Sequence, residues 1–256
     1  MSKRFKLGKR YFCKRSNDLT LKVRCDRLKE SRGVVLSEAT MCRVLKRLGV
    51  TRKKTLSAIE QDAEARLRWL AEVLGLGANR LVFVDESGFQ LNLTPAYAYA
   101  QKGARAYGRV PKNRGENTSL LAAVSLDEGI YAAMTLPGAV DGAAFEVYVK
   151  QVLCPKLRAG QVVILDRLNV HKNQRVREAI EAKGCTLLFL PSYSPDLNPI
   201  ELAFSKLKNQ VRQVEARTRE GLDDAIAAAL RAITLRDIIG WFAHAGYEHH
   251  SFCKGL

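Results

Sequence analysis

Three acidic residues occupy positions from which their carboxylates could act together on phosphate chemistry. Asp85 and Asp166 each directly follow a short apolar run, residues 81–84 and 162–165, that predicts a buried strand. Glu201 falls in the first turn of a predicted helix. Clustered carboxylates repel one another unless cations neutralise them, and oxygen ligands suit Mg²⁺ or Mn²⁺. These positions therefore predict a divalent-metal site.

The chemistry predicted for such a site is phosphoryl transfer. Acids at equivalent ends of neighbouring central strands lie a few ångströms apart, and a helix that packs across the sheet can deliver a third carboxylate. Two ions about 3.5–4 Å apart can clamp the attacking and leaving oxygens of an in-line phosphoryl displacement. The three acids are thus the candidate catalytic residues.

Each acid also has a purely structural explanation. Asp85 could end a strand, and Asp166 could open the turn that follows one. Glu201 could complete a capping box, with Asn198 as the N-cap residue and Pro199 at the first helical position. The matching positions of all three acids in one order of elements favour the metal site.

Two neighbouring acids are rival ligands. Glu86 should point to the opposite face of the sheet from Asp85, because side chains alternate along a strand. Asp196 lies in the proline-rich turn that includes residues 191–195, where Asp is a common turn former. Both are weaker candidates than the three acids above.

The elements that position these acids follow from the hydrophobic pattern. Strands are predicted at residues 81–91, 120–126, 130–136, 162–165 and 186–190, and helices at residues 57–74, 141–157, 173–183, from 199 onward and 222–233. In the first of these helices, Leu67, Leu70 and Leu74 are predicted to face the core. The order indicates a ribonuclease H-like α/β fold: an antiparallel meander joined to parallel strands, with helices on both faces.

Positive charge is concentrated in the first fifth of the chain. Of the net charge of +16, residues 1–54 contribute +14 and the remainder only +2. After a basic arm over residues 1–16, helices are predicted at about residues 19–31 and from the N-cap Ser37 to Gly49. This pair fits the second half of a helix-turn-helix, although ordinary amphipathic helix pairs share the pattern.

The outer face of the second helix and the connector after it are the predicted DNA contacts. Their cations are Arg43, Lys46, Arg47, Arg52, Lys53 and Lys54. A solvated basic tail, or contact with RNA or acidic lipid, would explain the charge alone.

Cysteine usage and hydropathy exclude other classes of protein. None of the six cysteines forms a CxxC pair, which indicates scattered thiols in a reducing compartment. The apolar runs are far shorter than the roughly 18 residues that a membrane span needs, and no signal-peptide pattern is present. A cytoplasmic protein is expected.

Three segments that contain the candidate acids are FVDESGF (residues 83–89), ILDRLNVHK (residues 164–172) and LPSYSPDLNPIE (residues 190–201). These segments resemble the DDE transposases of the mariner superfamily, most closely its bacterial insertion-sequence branch. The 34 residues between Asp166 and Glu201 are similar to the family's spacing. The resemblance is strong over about residues 80–212. SPDLNPIE is its most specific motif.

The resemblance implies that Asp85, Asp166 and Glu201 form the catalytic triad and hold two Mg²⁺ (or Mn²⁺) ions. It implies hydrolytic cutting at transposon ends, then attack by the freed 3′-hydroxyl on TA-containing target DNA. It further implies a homodimer or higher oligomer on double-stranded terminal inverted repeats, in the bacterial nucleoid. His171 matches a recurrent family histidine and is expected to support the ligands or contact DNA.

The sequence departs from the family pattern at two places. Arg167 stands where the family usually has Asn, and its guanidinium could pair with Asp166 or contact DNA. Only the second of two usual helix-turn-helix modules is recognisable.

The expected domains are a DNA-binding module (residues 1–54), a connecting helix (55–78) and the catalytic domain (79–256). The rival functions are a degenerate transposase that binds without cutting, and another ribonuclease H-like nuclease such as a junction resolvase.

Overall fold

The structure is a computed structural model that describes residues 19–50, 58–168 and 173–247. The chain divides into two compact units, Met1–Ser57 and Ala58–Leu256. Within the described part of the chain, no helix has both the length and the apolar character needed to cross a membrane.

The first unit contains helices α1 (Leu21–Arg32) and α2 (Glu38–Arg47), which pack against each other. α1 ends at Gly33, whose φ of +67° suits a residue without a β-carbon. α2 begins where the Ser37 hydroxyl accepts a hydrogen bond from the Thr40 N–H at 3.2 Å. Cys25 and Met41 are buried. The predicted helix pair and its serine cap are therefore present.

The second unit is a five-stranded mixed sheet with helices. Its elements are α3 (Ala63–Leu76), β1 (Leu81–Phe89), β2 (Thr118–Ser125), β3 (Gly129–Pro137), α4 (Gly142–Tyr148), β4 (Val162–Leu165), α5 (Gln174–Glu181), β5 (Thr186–Phe189), α6 (Pro199–Val214), α7 (Arg219–Arg231) and α8 (Leu235–His244). The strand order is β3-β2-β1-β4-β5. β1, β2 and β3 pair antiparallel, whereas β4 pairs parallel to both β1 and β5. This is the predicted meander joined to parallel strands.

Helices cover both faces of the sheet. Leu81 and Phe83 of β1 belong to a core cluster with residues of α3, α6, α7 and α8. Val82 and Val84, which alternate with them, belong to a second cluster with α4 and α5. Burial on both faces explains why the central strands have continuous apolar sequences.

Helix α3 differs from its prediction. It begins at Ala63, after the Asp62 cap, and buries Trp69 and Val73. Leu67 and Leu74 are 68% and 51% exposed, so two of the three leucines assigned to the core were assigned wrongly. Leucines lie on neighbouring faces of this helix. The face that packs against the core is the one that carries the larger indole ring of Trp69.

Two helical segments near the sheet also depart from prediction. The single helix expected over residues 141–157 is α-helical only as α4, then continues as a π-helical turn and a 3₁₀ turn. Helix α8, which was not predicted, starts with a capping box between Thr234 and Asp237. Helix α8 is short and begins only a few residues after α7 ends at Arg231, so the sequence pattern did not indicate a separate helix.

Candidate active site

The parallel pairing of β1 with β4 places two of the acids side by side. Leu81 lies opposite Val162, and Phe83 opposite Ile164. The same register continued by two residues sets Asp85 opposite Asp166. Because side chains alternate, both acids point to the sheet face that α6 covers.

Asp85 lies within β1, directly after the apolar run of residues 81–84, as the strand predicted over residues 81–91 implies. β1 leaves its pairing with β4 after Phe83 but remains paired with β2 as far as Phe89. Asp85 therefore lies just beyond the point where β1 separates from β4 while it is still paired with β2. Asp166 follows β4 at the same point.

The Asp85 carboxylate is 7% exposed and is held from two sides. One oxygen, Oδ1, accepts a hydrogen bond from the Glu86 N–H at 2.8 Å. The other, Oδ2, accepts from Nδ2 of Asn198 at 2.9 Å. Asn198 thereby connects the start of α6 directly to β1.

The structure removes the capping-box explanation of Glu201. Asn198 occupies the N-cap position of α6 but makes no side-chain cap hydrogen bond. Its amide donates to Asp85 instead, and the Glu201 N–H reaches only the backbone oxygen of Asn198, at 3.2 Å. Oδ1 of Asn198 is buried without a hydrogen-bond partner among the described residues. The side chain is therefore directed toward the acids.

The turn that presents Asn198 is supported from the end of the chain. The buried hydroxyl of Tyr247 donates to the backbone oxygen of Leu197 at 2.7 Å. Asp196, in the same turn, accepts two hydrogen bonds from the Arg66 guanidinium of α3, at 2.9 and 2.6 Å. Asp196 therefore has a structural ion pair, which makes it a poor rival as a ligand.

The acids act on one another electrostatically. Burial raises the pKa of Asp85 to about 8, and the charges of Glu201, Glu86 and Asp166 raise it as well, against the lowering effect of the Glu86 N–H. Burial also raises the pKa of Glu201, while the Lys208 ammonium lowers it and the charges of Asp166 and Glu86 raise it. The site thus resists full ionisation unless a cation compensates.

The donor set fits a hard divalent cation. Asp85, Asp166 and Glu201 supply only oxygen ligands, and the burial of Asp85 and Glu201 favours a compensating positive charge. Within residues 19–50, 58–168 and 173–247, no group of three His, Cys, Asp or Glu side chains is placed so that it could hold a metal ion without rearrangement. The carboxylates therefore lie within electrostatic reach of one another without a finished coordination shell.

Three other predicted residues have distinct surroundings. Glu86 lies opposite Leu121, on the sheet face away from Asp85 as expected, although both Asp85 and Glu201 are affected by its charge. Arg167 donates from Nε to the backbone oxygen of Leu190 at 3.1 Å. His171 lies outside the described residues.

The predicted DNA contacts are described only on α2. Arg43, Lys46 and Arg47 are exposed there, and Arg43 donates from Nη2 to the Thr40 hydroxyl at 3.3 Å. Arg52, Lys53 and Lys54 lie outside the described residues.

Sequence reasoning missed two residues at the acidic site. Asn198 had been assigned only to a helix cap. Lys208 follows Glu201 by seven positions, so it lies two turns along the same face of α6, and its Nζ is 5.8 Å from the centroid of the Phe89 ring. That helical spacing was the available signal for Lys208.

The raised pKa of Asp85 predicts a pH-dependent gain in stability for Asp85→Asn. In the metal-free protein, the folded state favours the neutral carboxyl. Its contribution is fully present below the ordinary pKa near 3.9 and is lost as pH rises through about 8. Asparagine keeps a neutral side chain, so the stability of the variant relative to wild type should rise by up to about 4 kcal/mol between pH 5 and pH 8, at about 1.4 kcal/mol for each pH unit.

Urea unfolding in EDTA at both pH values measures this difference. Asp196→Asn is the matched control, because Asp196 is an exposed acid in an ion pair. A gain that is equal at pH 5 and pH 8 would contradict the assigned titration of Asp85.

Comparison with known proteins identifies similar chains. A family model described as DDE superfamily endonuclease matches residues 80–223. The pre-cleavage Mos1 transpososome is 18% identical over 94% of this chain and 75% of that chain, with a TM-score of 0.69. The Mos1 strand transfer complex is 18% identical over 95% and 74%, with a TM-score of 0.67. The mariner Mos1 paired end complex with Mg is 19% identical over 96% and 78%, with a TM-score of 0.66.

At these identities the structural likeness concerns the fold. The mixed sheet with helices on both faces is ribonuclease H-like, which confirms the predicted fold class. No curated protein sequence matches the chain.

Proposed function

The chain belongs to the DDE superfamily endonuclease family, and from this premise we propose that it is a transposase that cuts DNA at transposon ends and joins the freed end to target DNA. The observation that carries the proposal is the register that sets Asp85 opposite Asp166, together with the effect of the Glu201 charge on the pKa of Asp85. Three mutually repelling carboxylates lie near the point where the central strands β1 and β4 separate. Such a group of acids is suited to metal-dependent phosphoryl transfer.

In this proposal Asp85, Asp166 and Glu201 hold two Mg²⁺ or Mn²⁺ ions. Bound ions would supply activation of the attacking water or 3′-hydroxyl and stabilisation of the leaving oxygen. Asn198 fixes one oxygen of Asp85 through its amide hydrogen bond, which orients the carboxylate before an ion arrives. Lys208 lowers the pKa of Glu201, which favours the ionised form that a ligand needs.

The substrate in this proposal is double-stranded DNA that carries terminal inverted repeats, held in pairs by a homodimer or higher oligomer. In this arrangement residues 1–54 bind the repeat and residues 79–256 form the catalytic domain. Residues 55–78 connect the DNA-binding module to the catalytic domain. The paired-end and strand-transfer complexes among the similar Mos1 structures support this arrangement. From the motif resemblance we also propose that the protein belongs to the bacterial insertion-sequence branch and acts on nucleoid DNA at TA targets.

Metal-dependent cleavage of the element's own ends tests the proposal. The full chain would be incubated with Mn²⁺ or Mg²⁺ and end-labelled duplex carrying the terminal repeat, and the cut positions mapped to the nucleotide. We expect cuts at the repeat boundary, followed by a product joined to target DNA. EDTA should abolish both products.

Two other outcomes of this experiment would indicate a different function for the protein. Preferential cutting of a four-way junction over the repeat duplex would identify a resolvase-like nuclease. Specific binding to the repeat without any cut in Mn²⁺ would identify a transposase that retains only DNA recognition.

A further inference from the structure

The connection between β1 and β2 is unusually long for a compact domain. It spans residues 90–117 and contains no helix or strand, whereas irregular loops above about 12–15 residues are uncommon and are often functional. Its base is fixed. The Leu91 N–H donates to the backbone oxygen of Arg114 at 3.2 Å, and Nη1 of Arg217 donates to the oxygens of Leu91 and Leu93 at 3.0 and 3.1 Å. We call the intervening residues 92–113 the β1–β2 loop.

Three tyrosine side chains on this loop are exposed to solvent. Tyr97, Tyr99 and Tyr107 are 94%, 105% and 92% exposed. Such exposure means that the rings have almost no packing role within the chain. Exposed aromatic rings clustered within a short segment mark a surface that binds something else.

The loop and its closing residues also carry a net positive charge, whereas the chain after residue 54 is nearly neutral as a whole. Exposed cations at five positions are accompanied by one acid, Glu116, at the end of the connection. The cations are Lys102, Arg105, Arg109, Lys112 and Arg114. The connection therefore has a net charge of +4, compared with +2 for all residues after 54. A partner of this surface should be a polyanion.

We infer that the β1–β2 loop binds an unpaired nucleic-acid strand next to the acidic site, a contact that extends the proposed function. Aromatic rings stack on bases, and interspersed cations follow the phosphates of single strands. The connection begins directly after Phe89, four residues beyond Asp85 on the same strand, so its base lies a short distance along β1 from the acidic site.

Removal of the three rings tests the stacking. In the full chain, Tyr97→Ala, Tyr99→Ala and Tyr107→Ala combined should weaken binding to a labelled oligothymidylate by about tenfold or more. Duplex affinity should change little, since paired bases offer no free faces. Tyr97→Phe, Tyr99→Phe and Tyr107→Phe combined is the matched control, since it keeps the rings and should bind like wild type. Fluorescence anisotropy in EDTA gives the affinities, and equal melting temperatures exclude misfolding.

Neutralisation of two cations tests the phosphate contacts separately. Arg105→Gln with Arg109→Gln should reduce the slope of log affinity against log salt by about 1.4 for a single strand, at about 0.7 for each lost contact. Arg231→Gln with Arg236→Gln, at exposed arginines of α7 and α8, should leave the slope unchanged.

Unchanged single-strand affinity in the triple alanine variant would overturn the inference. If the same variant instead shifted the monomer–dimer equilibrium in sedimentation, the loop would be a protein interface. Ring-dependent single-strand binding in a protein that never cuts DNA would leave the loop assignment intact and remove the proposed transposase activity.

Discussion

Asp166→Asn and Glu201→Gln should each reduce metal-dependent DNA cleavage by several orders of magnitude while leaving duplex affinity nearly unchanged. Each substitution removes one negative charge from a site in which three carboxylates are proposed to hold the ions, but it preserves side-chain volume. The cations of α2 that are proposed to bind DNA lie in a different unit of the chain. Cleavage assays in Mn²⁺ and equilibrium binding in EDTA separate the two effects.

Asp196→Asn is the matched control for this pair of variants. It changes an acid of the same sequence motif that is 59% exposed and paired with Arg66. Because largely exposed ion pairs contribute about 0–1 kcal/mol, this variant should cut DNA like wild type and melt only slightly earlier.

Glu201→Gln also distinguishes metal ligation from a purely structural role at the start of α6. Loss of a structural contact at a helix start costs about 1 kcal/mol and would leave turnover intact. A variant that retains cleavage but melts early would show that Glu201 stabilises α6 and is not a ligand. Equal loss of cleavage and DNA binding by Asp166→Asn would show a folding role for that residue.

Removal of the basic N-terminal region should produce the second large effect, a loss of most duplex affinity. Residues 1–54 carry +14 of the net charge. If about six of their cations contact phosphates, log affinity should fall with log salt at a slope near −5, from about −0.9 for each contact. Fluorescence anisotropy of the full chain and of residues 58–256 on the same duplex, across a salt series, measures both quantities.

Two smaller changes divide this affinity into general and specific parts. Arg43→Ala should weaken binding to the cognate end by about 1–3 kcal/mol and hardly affect random duplex. Deletion of residues 1–16 should weaken binding to both. Equal affinity and equal salt slope for residues 58–256 and the full chain would refute the assignment of duplex binding to the N-terminal region.

The sequence alone determined the elements whose signals are local and unambiguous. The continuous apolar run at β4 predicted its bounds correctly, because a strand buried on both faces needs apolar residues at every position. Ser37 predicted the start of α2 for an equally local reason: its hydroxyl satisfies an N–H only three residues away. The positions of Asp85 and Asp166 at equivalent places on adjacent strands followed from two such runs.

Tertiary structure decided which of several locally possible partners a side chain takes. At the start of α6, Asn198 could have capped the helix, as the sequence indicated. Its amide instead donates to Asp85, 113 positions away, because a buried carboxylate gains more from a donor than a helix end that has other means of satisfying its N–H groups. Asp196 likewise pairs with Arg66, 130 positions away.

The choice of buried stripe on α3 has the same origin. Leu67, Leu70 and Trp69 are all apolar enough to face a core, so periodicity left several orientations open. Packing against the sheet and Tyr247 selected the orientation that sets Trp69 against Tyr247, with ring centroids 6.2 Å apart. Local sequence specified the start of α2, but at α3 contacts with distant residues determined the buried face, since the packing energy depends on surfaces that only the assembled fold brings together.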